Sequence, residues 1–501
     1  MKEEINKDFP IDIESVLSIG VKNWYESFEW PISWGNFIEI ENKVKSILDN
    51  QIKTNPEFAD IIVVNYKLYI EFTNYFTALL LKVTVGEKAK YSDNNTYYKS
   101  VFEEGIPLPF VKFPKIDSHK KTIKSRLRKL KKYLEDNKFS VPKVWKPSVY
   151  IFNESRSNLT LEHLRNKYIG RFYPLSFFDY YKANDVKQID DITSNKINIL
   201  VKIISEDLYK CIELMGVVLT VHQKEFVFNH IFDLYTKTYK TLQVVKKNIG
   251  NKKIKLFIGS NNNYFSRIIS VAIRNNGGEI HGFKHGEPIN YEYDLVSWLD
   301  LSLSDYFYEP TDRNSEMLKN IAKKFPPLNA NECTIKSMKN NRYDTILNNL
   351  KIQTKDYIST VMIIGNCFRH TSFSSATAVF PTMQLYIELY IINKLKSQGY
   401  KVIYKMHPEN LDTRIGFVKD FSVFKALFPD DVEINSDSFE SSEQEVDAYA
   451  FYYTATSTFL TAMASKKSIL LFDIKLREYP KEMLDILTSR CDYKLTKLNF
   501  I

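Results

Sequence analysis

The sequence is poor in cysteine, and its few cysteines are not spaced for a disulfide framework or a zinc site. Cys211, Cys333, Cys367 and Cys491 are the only four in 501 residues, and no two are close in the chain. Small disulfide-rich domains and zinc motifs both depend on close, repeated cysteine spacings. We therefore expect a protein of the reducing cytoplasm that has no metal site.

Long apolar runs are also missing. A membrane-spanning helix needs about 18 or more apolar residues, but the most apolar stretch, residues 75–85, contains Lys82 and ends early. The amino-terminal residues 1–15 are too charged for a signal peptide. The hydrophobic content of 44% still suffices for large cores, and the length predicts two or three domains. We expect a soluble protein, or one that contacts a membrane from outside.

One segment concentrates positive charge. The net charge of +9 is mild for this length, yet residues 120–132 hold eight Lys or Arg and no acid. Apolar residues recur at helical spacing there, which predicts a basic amphipathic helix. Such a helix binds anionic lipid or attracts a negatively charged substrate, and it would then hold a cytoplasmic protein on the inner face of the cell membrane. The alternative is a solvated helix that packs one stripe on its own domain.

The amino-terminal half is mostly helical in pattern. Apolar residues recur every three to four positions in residues 197–216 and 221–246, which predicts two long helices. Strands are predicted at residues 16–20 and 148–152. No long internal repeat is visible in the chain.

From Lys252 the pattern alternates between strands and helices. We predict a strand ending at Gly259, a helix over 264–275, a strand over 279–284 and another over 299–307, followed by a polar linker at 326–341. The alternation then restarts, with strands at 360–365, 400–405, 432–435, 448–453 and 468–473, and helices at 383–398 and from 454 to about 465. Strand–helix–strand units of this kind form parallel sheets.

This alternation predicts an α/β protein with two Rossmann-like domains facing a cleft and a largely helical N-terminal elaboration. We place the amino-terminal, acceptor-side domain at 1–335, with its Rossmann-like part at 252–310. The nucleotide-donor domain is placed at 336–480 and a C-terminal tail at 481–501.

Two short motifs follow predicted strands. His285-Gly286 follows the strand at 279–284, and Lys405-Met406-His407-Pro408 lies at the end of the strand at 400–405, about 120 residues later. Side chains beyond the carboxyl ends of parallel strands are where open α/β sheets bind ligands. The sequence therefore predicts one functional histidine from each half of the chain.

The combination of these motifs with a Ser/Thr-rich turn at 454–458 resembles the bacterial GT-B transferases that use cytidine-activated donors, over roughly residues 252–473. These families include capsule sialyltransferases and polysialyltransferases, Kdo transferases of capsule assembly, and CDP-glycerol glycerophosphotransferases. The resemblance implies a metal-independent glycosyltransferase of capsule or lipopolysaccharide synthesis. It would use a CMP-activated or CDP-linked donor, a glycan or lipid-linked acceptor, no other cofactor and no nucleic acid.

The resemblance also assigns roles. It implies that His407 contacts the donor phosphate while Pro408 fixes the loop, and that Ser457 and Thr458, with Thr456, bind the same phosphate. It places the general base at His285 or Glu287, beside Gly286. The sequence departs from these families at Lys284, where capsule Kdo transferases often have Gln, and in lacking the acidic-Asp-Gly triplet of sialyltransferases. The sugar is left open.

The chemistry of the residues is consistent with these roles. A helix amino terminus offers backbone N–H groups and hydroxyl donors to a phosphate, and His407 can donate a charge-assisted hydrogen bond. Lys405 can add charge if it turns into the cleft, and Arg369 can reach the phosphate from its loop. An Asp-x-Asp pair after a strand is lacking, which fits metal-independent chemistry.

Other interpretations stay open at this point. His285 can simply cap a turn, and Thr456–Thr458 can be an ordinary N-cap. His222, His281 and His370 lack a motif context, and we expect them to be structural. The competing functions are a CDP-glycerol glycerophosphotransferase-like polymerase, a non-hydrolysing UDP-sugar epimerase and an inactive binding or scaffold protein.

Overall fold

The computed structural model of the chain describes most of its length. The described residues are 8–107, 149–152, 160, 163–164, 172–182, 185–261, 263–283, 300–324, 326–328, 332–339, 357–368, 380–411, 420–439, 441, 446–454, 456–476 and 478–498. The basic segment at 120–132 lies outside these ranges, as do Lys284, His285, Gly286, Glu287, Arg369 and His370.

The amino-terminal residues form a helical layer. Two short strands, β1 (Phe9–Pro10) and β2 (Ala89–Lys90), pair in parallel beside it. Its helices are α1 (Ile13–Ile19), α2 (Val21–Glu26), α3 (Trp34–Thr54), α4 (Ala59–Val64), α5 (Leu68–Val85) and α6 (Thr96–Lys99), with a π-helical turn at Ser100–Glu104. Within the described ranges, no helix is both long and apolar enough to cross a membrane.

The strand predicted at residues 16–20 is wrong, because residues 16–19 belong to α1 and Gly20 is its C-cap. The Asp12 side chain accepts a hydrogen bond from Ser15 N–H at 2.9 Å, and Ser15 in turn caps the Asp12 backbone. This reciprocal capping box begins a helix. Ile13 and Val16 are then three residues apart on one helical face, and both are buried.

The first sheet has six parallel strands. They are β3 (Val149–Phe152), β4 (Phe172–Leu175), β5 (Lys255–Ile258), β6 (Glu279–Phe283), β7 (Tyr306–Glu309) and β8 (Thr334–Ser337), in the spatial order β4-β3-β5-β6-β7-β8. The helices of this part are α7 (Asp191–Glu213), α8 (Val221–Ile249), α9 (Tyr264–Asn275) and α10 (Asp312–Lys324). Helix α7 packs against α3, and helices α8 and α9 pack against α4, so the amino-terminal helical layer continues onto this sheet.

The second sheet also has six parallel strands. They are β9 (Thr360–Ile364), β10 (Lys401–Lys405), β11 (Glu433–Asn435), β12 (Ala448–Phe451), β13 (Ser468–Asp473) and β14 (Asp492–Leu495), in the order β11-β10-β9-β12-β13-β14. Its helices are α11 (Pro381–Ser397), α12 (Phe421–Lys425), α13 (Ser457–Ala464) and α14 (Lys481–Arg490). Counted from β9, this is the doubly wound order 3-2-1-4-5-6 of Rossmann folds. The predicted α/β class with two parallel sheets is confirmed.

Three predicted boundaries differ from the observed elements. The strand predicted at 299–307 is observed only from Tyr306, because the buried Leu301 and Leu303 pack in the turns before it. The polar linker predicted at 326–341 contains β8, which pairs with β7, so the boundary drawn at 335 lies inside a strand of the first sheet. The predicted tail at 481–501 supplies α14 and β14, and β14 pairs with β13.

The amino-terminal helices also contact the second sheet's side of the molecule. The Trp34 indole N–H donates to the Leu476 carbonyl at 2.7 Å. Tyr386, on α11, stacks on Phe28 with ring centroids 4.2 Å apart. One extended core cluster includes residues from both sheets and from the helical layer. The helical layer is therefore packed against both α/β parts.

Candidate functional site at the carboxyl edge of the second sheet

The strand order of the second sheet indicates where a ligand would bind. In a doubly wound sheet, ligands bind beyond the carboxyl ends of the strands where the chain reverses its winding direction. Here that point lies between β9 and β12. The segments beyond neighbouring strand ends are 365–368 after β9, 406–410 after β10 and 452–456 after β12. The sequence motifs after β10 and β12 are thus on either side of β9.

His407 lies half-buried just beyond β10. Its Nδ1 accepts a hydrogen bond from the Glu409 backbone N–H at 3.2 Å, inside the short 3-10 turn Pro408–Leu411. A ring nitrogen that accepts carries no proton, so this contact favours the neutral imidazole with its proton on Nε2. Pro408 begins the turn that makes this contact. With Nδ1 engaged in this contact, Nε2 is the ring nitrogen that His407 can offer to a ligand.

Lys405 is not open to the crevice in this structure. The residue is only 6% exposed, and its ammonium donates to the Met406 carbonyl oxygen at 2.9 Å. The sequence hypothesis that Lys405 adds charge to the cleft required its side chain to turn outward. In the structure, the Lys405 side chain is instead buried at the end of β10.

Thr456 is the N-cap of α13. Its hydroxyl oxygen accepts a hydrogen bond from Thr458 N–H at 3.4 Å. Ser457 is the first helical residue, and its side chain is outside what the structure describes. The ordinary capping role of Thr456 is therefore observed, and it also orients the first turn of α13 at the end of β12.

A buried carboxylate joins the three strand ends. Glu388, on α11, is fully buried. Its Oε1 accepts from Asn366 N–H at 3.0 Å and from Tyr452 OH at 2.7 Å, while Oε2 accepts from Tyr404 OH at 2.7 Å. Gln384, one turn earlier, also donates to Oε1, at 3.3 Å. One side chain thus connects the segments after β9 and β12 to β10.

Burial controls the ionisation of Glu388. Desolvation raises the pKa of its carboxyl from 4.5 to about 7, although the hydrogen bonds from Asn366, Tyr404 and Tyr452 each act to lower it. All of these donors are neutral, so none supplies the charge that would hold the carboxylate fully ionised. Glu388 therefore titrates near neutral pH inside the site.

The backbone after β9 runs against the Tyr404 ring. A Cβ at Gly365 would overlap the Tyr404 phenol, and the Gly365 carbonyl accepts a hydrogen bond from Tyr453 OH at 3.2 Å. Only glycine allows this approach. This close contact places the end of β9 beside the Tyr404 hydroxyl, which donates to Glu388.

Asn410 holds the two loops that follow β9 and β10 together. It is fully buried, its Oδ1 accepts from Phe368 N–H at 2.7 Å, and its Nδ2 donates to the Asn366 carbonyl at 3.2 Å. These contacts clamp the backbone on both sides of Cys367. The Cys367 sulfur, a ring nitrogen of His407 and a carboxylate oxygen of Glu409 all lie within 4.8 Å of one another.

The corresponding edge of the first sheet is described only in part. Strand β6 ends at Phe283, and the predicted base residues that follow it lie outside the described residues. Near the end of β5, Arg267 donates to the Asn261 carbonyl at 3.3 Å, and Asp300 accepts from Asn261 N–H at 3.0 Å. Burial, together with Arg267, lowers the pKa of Lys67 to about 8. A buried charged cluster therefore lies near the carboxyl edge of the first sheet, beside the start of α5.

The other predicted structural histidines can be placed where they are described. His281 is 3% exposed, stacks on Phe257 with centroids 4.4 Å apart, and contacts Tyr308 OH through Nδ1 at 3.0 Å. Desolvation lowers the pKa of His281 to about 4, so it is a neutral core residue. His222 is exposed on α8.

An open cavity of about 430 Å³ lies elsewhere, between α3 and α7. Its lining includes Asn42, Lys45 and Asp207 and no residue from a strand end. We do not assign the chemistry to it, because it shares no residue with either carboxyl edge.

The chain matches no protein-family model, no curated protein sequence and no solved structure. The function must therefore be inferred from the geometry and chemistry of the residues themselves.

Proposed function

We propose that the chain is a GT-B glycosyltransferase of bacterial surface polysaccharide synthesis. It transfers a nonulosonate sugar, of the sialic acid or Kdo kind, from a CMP-activated donor to a glycan or lipid-linked acceptor. The observation that carries this proposal is the convergence of features at one edge of the second sheet. The doubly wound order puts the crevice between β9 and β12, His407 follows β10, and α13 begins just after β12.

The arrangement suits a nucleotide phosphate. Neighbouring strands are about 4.8 Å apart, so the β10 and β12 ends flank β9 at a separation of about 10 Å. A phosphate between them meets the Nε2–H of His407 on one side and the first turn of α13, with its partial positive charge, on the other. The base and ribose of the donor then extend along the crevice.

Transfer proceeds by one substitution at carbon. The acceptor hydroxyl gives its proton to His285, with Glu287 as the alternative base, and its oxygen attacks the anomeric carbon of the sugar. The bond from that carbon to the phosphate oxygen breaks, and the electron pair leaves with CMP. The His407 donor stabilises the departing phosphate, and an imidazole is suited to accept a proton near neutral pH.

Nucleotide binding is the first test. We expect the full-length chain to be stabilised in thermal-shift assays by CMP more than by CDP, UMP, UDP or GDP, since a ligand of the native state raises stability by mass action. Calorimetry should then show weaker CMP binding for His407→Ala. Loss of a hydrogen bond to a charged group costs about 1.5–3 kcal/mol, or roughly ten- to a hundredfold in affinity.

His222→Ala, an exposed histidine far along the chain, is the matched control and should bind CMP like the wild type. An unchanged dissociation constant for His407→Ala would contradict the donor-site assignment. A preference for CDP would instead favour glycerophosphate transfer from CDP-glycerol, and a preference for UDP would favour an epimerase.

A further inference from the structure

The ends of β9 and β10 bring together a thiol, an imidazole and a carboxylate. Cys367, His407 and Glu409 each offer one ligand atom, and these atoms all lie within 4.8 Å of one another. Cys367 is buried at 6% exposure, whereas His407 and Glu409 are half-buried. The sulfur of the cluster is therefore buried, while the imidazole and the carboxylate are partly accessible to solvent.

The loops that carry these three side chains are fixed from inside. Asn410, the residue after Glu409, bonds to the peptide groups on both sides of Cys367. Asn366 N–H is also held by the Glu388 carboxylate. Side chains become good metal ligands when their backbone is held in this way by surrounding hydrogen bonds. The cluster is thus preorganised by residues that are not themselves ligands.

The ligand set is selective. A thiolate and an imidazole favour Zn²⁺ over Mg²⁺ or Ca²⁺, which prefer oxygen ligands. Three protein ligands leave a fourth tetrahedral position open, as in catalytic zinc sites. Zinc–ligand bonds of about 2.0–2.3 Å place ligand atoms about 3.5 Å apart, so side-chain movements of about 1 Å would close the site.

Electrostatics gives the cluster a consequence for the donor. The Glu409 carboxylate lies close to the His407 imidazole that is proposed to bind the donor phosphate. Without a cation, the negative carboxylate and the negative phosphate would therefore repel each other. A divalent cation between the carboxylate and the phosphate attracts both groups and so replaces the repulsion by attraction. It would also replace the Glu409 N–H contact at one ring nitrogen of His407.

We propose that Cys367, His407 and Glu409 form a zinc-type metal site whose open position faces the donor phosphate, which departs from the metal-independent chemistry expected from the sequence. The metal-binding part stands on the cluster alone, and the donor contact rests on the proposed function. Binding displaces the Cys367 thiol proton into solvent, so the sulfur coordinates as a thiolate and affinity rises with pH.

The full-length chain, stripped with a chelator and dialysed, should bind one equivalent of Zn²⁺ in calorimetry. Co²⁺ in place of Zn²⁺ should produce a thiolate-to-metal charge-transfer band. Cys367→Ser should abolish that band, and both Cys367→Ser and Glu409→Gln should weaken Zn²⁺ binding at least about tenfold. Cys333→Ser is the control and should match the wild type, because Cys333 is a partly buried cysteine that precedes β8 of the first sheet.

Circular dichroism must show that each variant folds. The proposal is overturned if no saturable Zn²⁺ binding occurs, or if binding is the same in Cys367→Ser and Glu409→Gln as in wild type.

The effect of Glu409→Gln on CMP affinity tests the donor contact. In chelator this change should tighten CMP binding because it removes a repulsive charge, whereas with Zn²⁺ it should weaken CMP binding because it removes a metal ligand. CMP binding in chelator without any Zn²⁺ binding would reject the metal site and leave the proposed function intact. Zn²⁺ binding by a chain that binds no nucleotide would reject the donor site and keep the metal.

Discussion

The buried carboxylate of Glu388 provides the sharpest prediction about stability. Its pKa is raised by burial from 4.5 to about 7, so the folded chain holds this proton more tightly than the unfolded chain does. The resulting stabilisation is fully present below about pH 4.5 and is lost as the pH rises through about 7. A shift of this size corresponds to about 3 kcal/mol.

Glu388→Gln removes the titration but keeps an amide of similar size among the same donors. The stability of wild type relative to Glu388→Gln should therefore fall by about 3 kcal/mol between about pH 4.5 and 7.5. Above neutral pH the variant should equal or exceed the wild type, because replacing a buried charge by a neutral group is often stabilising. Taking the difference at each pH cancels the titration of groups that the change leaves untouched.

The measurement is urea unfolding at a series of pH values, with hydrogen exchange of peptides from β9 and β12 reporting on this sheet separately from the first. A chain with two α/β parts need not unfold in one transition. Glu482→Gln, an exposed glutamate on α14, is the control and should track the wild type. If the difference between wild type and Glu388→Gln stays flat across this range, Glu388 does not titrate as argued.

The remaining predictions concern packing, catalysis and membrane contact. Gly365→Ala should lower stability by about 1–3 kcal/mol in thermal unfolding because its Cβ overlaps Tyr404, while Gly35→Ala, whose nearest neighbour would be at 3.5 Å, should be tolerated. His285→Ala should reduce transfer about a hundred- to ten-thousandfold with CMP binding retained; loss of transfer in Glu287→Gln but not in His285→Ala would make the carboxylate the base. Neutralising four cations of residues 120–132 should weaken binding to anionic vesicles by about 1 kcal/mol of binding free energy per charge, which co-sedimentation measures. Unchanged co-sedimentation would favour a solvated helix. The four are Lys124, Arg128, Lys131 and Lys132.

The sequence predicted most central strands and the edge strand β11, but it missed the edge strands β4, β8 and β14. Strands β5, β9, β10 and β13 are short, nearly continuous apolar runs, as expected for strands buried on both faces. The edge strands β8 and β14 have the sequences TIKS and DYKL and are largely exposed. They pair with one neighbour and bury little, so their composition indicates a linker or tail. Their assignment depends on a partner distant in the chain.

The candidate site was predictable only where a motif marks it. The sequence indicated the turn after β10 and the N-cap of α13, but it missed the buried position of Glu388 and the proximity of Cys367 to His407. Helix α11 is apolar on nearly every side, and a lone acid in such a helix must be buried. That signal was present in the sequence. The approach of Cys367 to His407 had no sequence signal, because forty residues and a helix separate them.

The two motif-bearing strand ends are connected to one another through interior side chains rather than by direct contact. Glu388 bonds to Asn366, Tyr404 and Tyr452, and Asn410 fixes the loop after β9. These residues are Glu, Asn and Tyr in otherwise apolar surroundings, where an unpaired polar group costs about 1–3 kcal/mol. The network therefore specifies one relative position of the loops, because any slip leaves a buried donor or acceptor without a partner. The buried network consequently fixes the positions of the loops that would contact a ligand. Substitutions in this network should therefore alter nucleotide binding even though both motifs are unchanged.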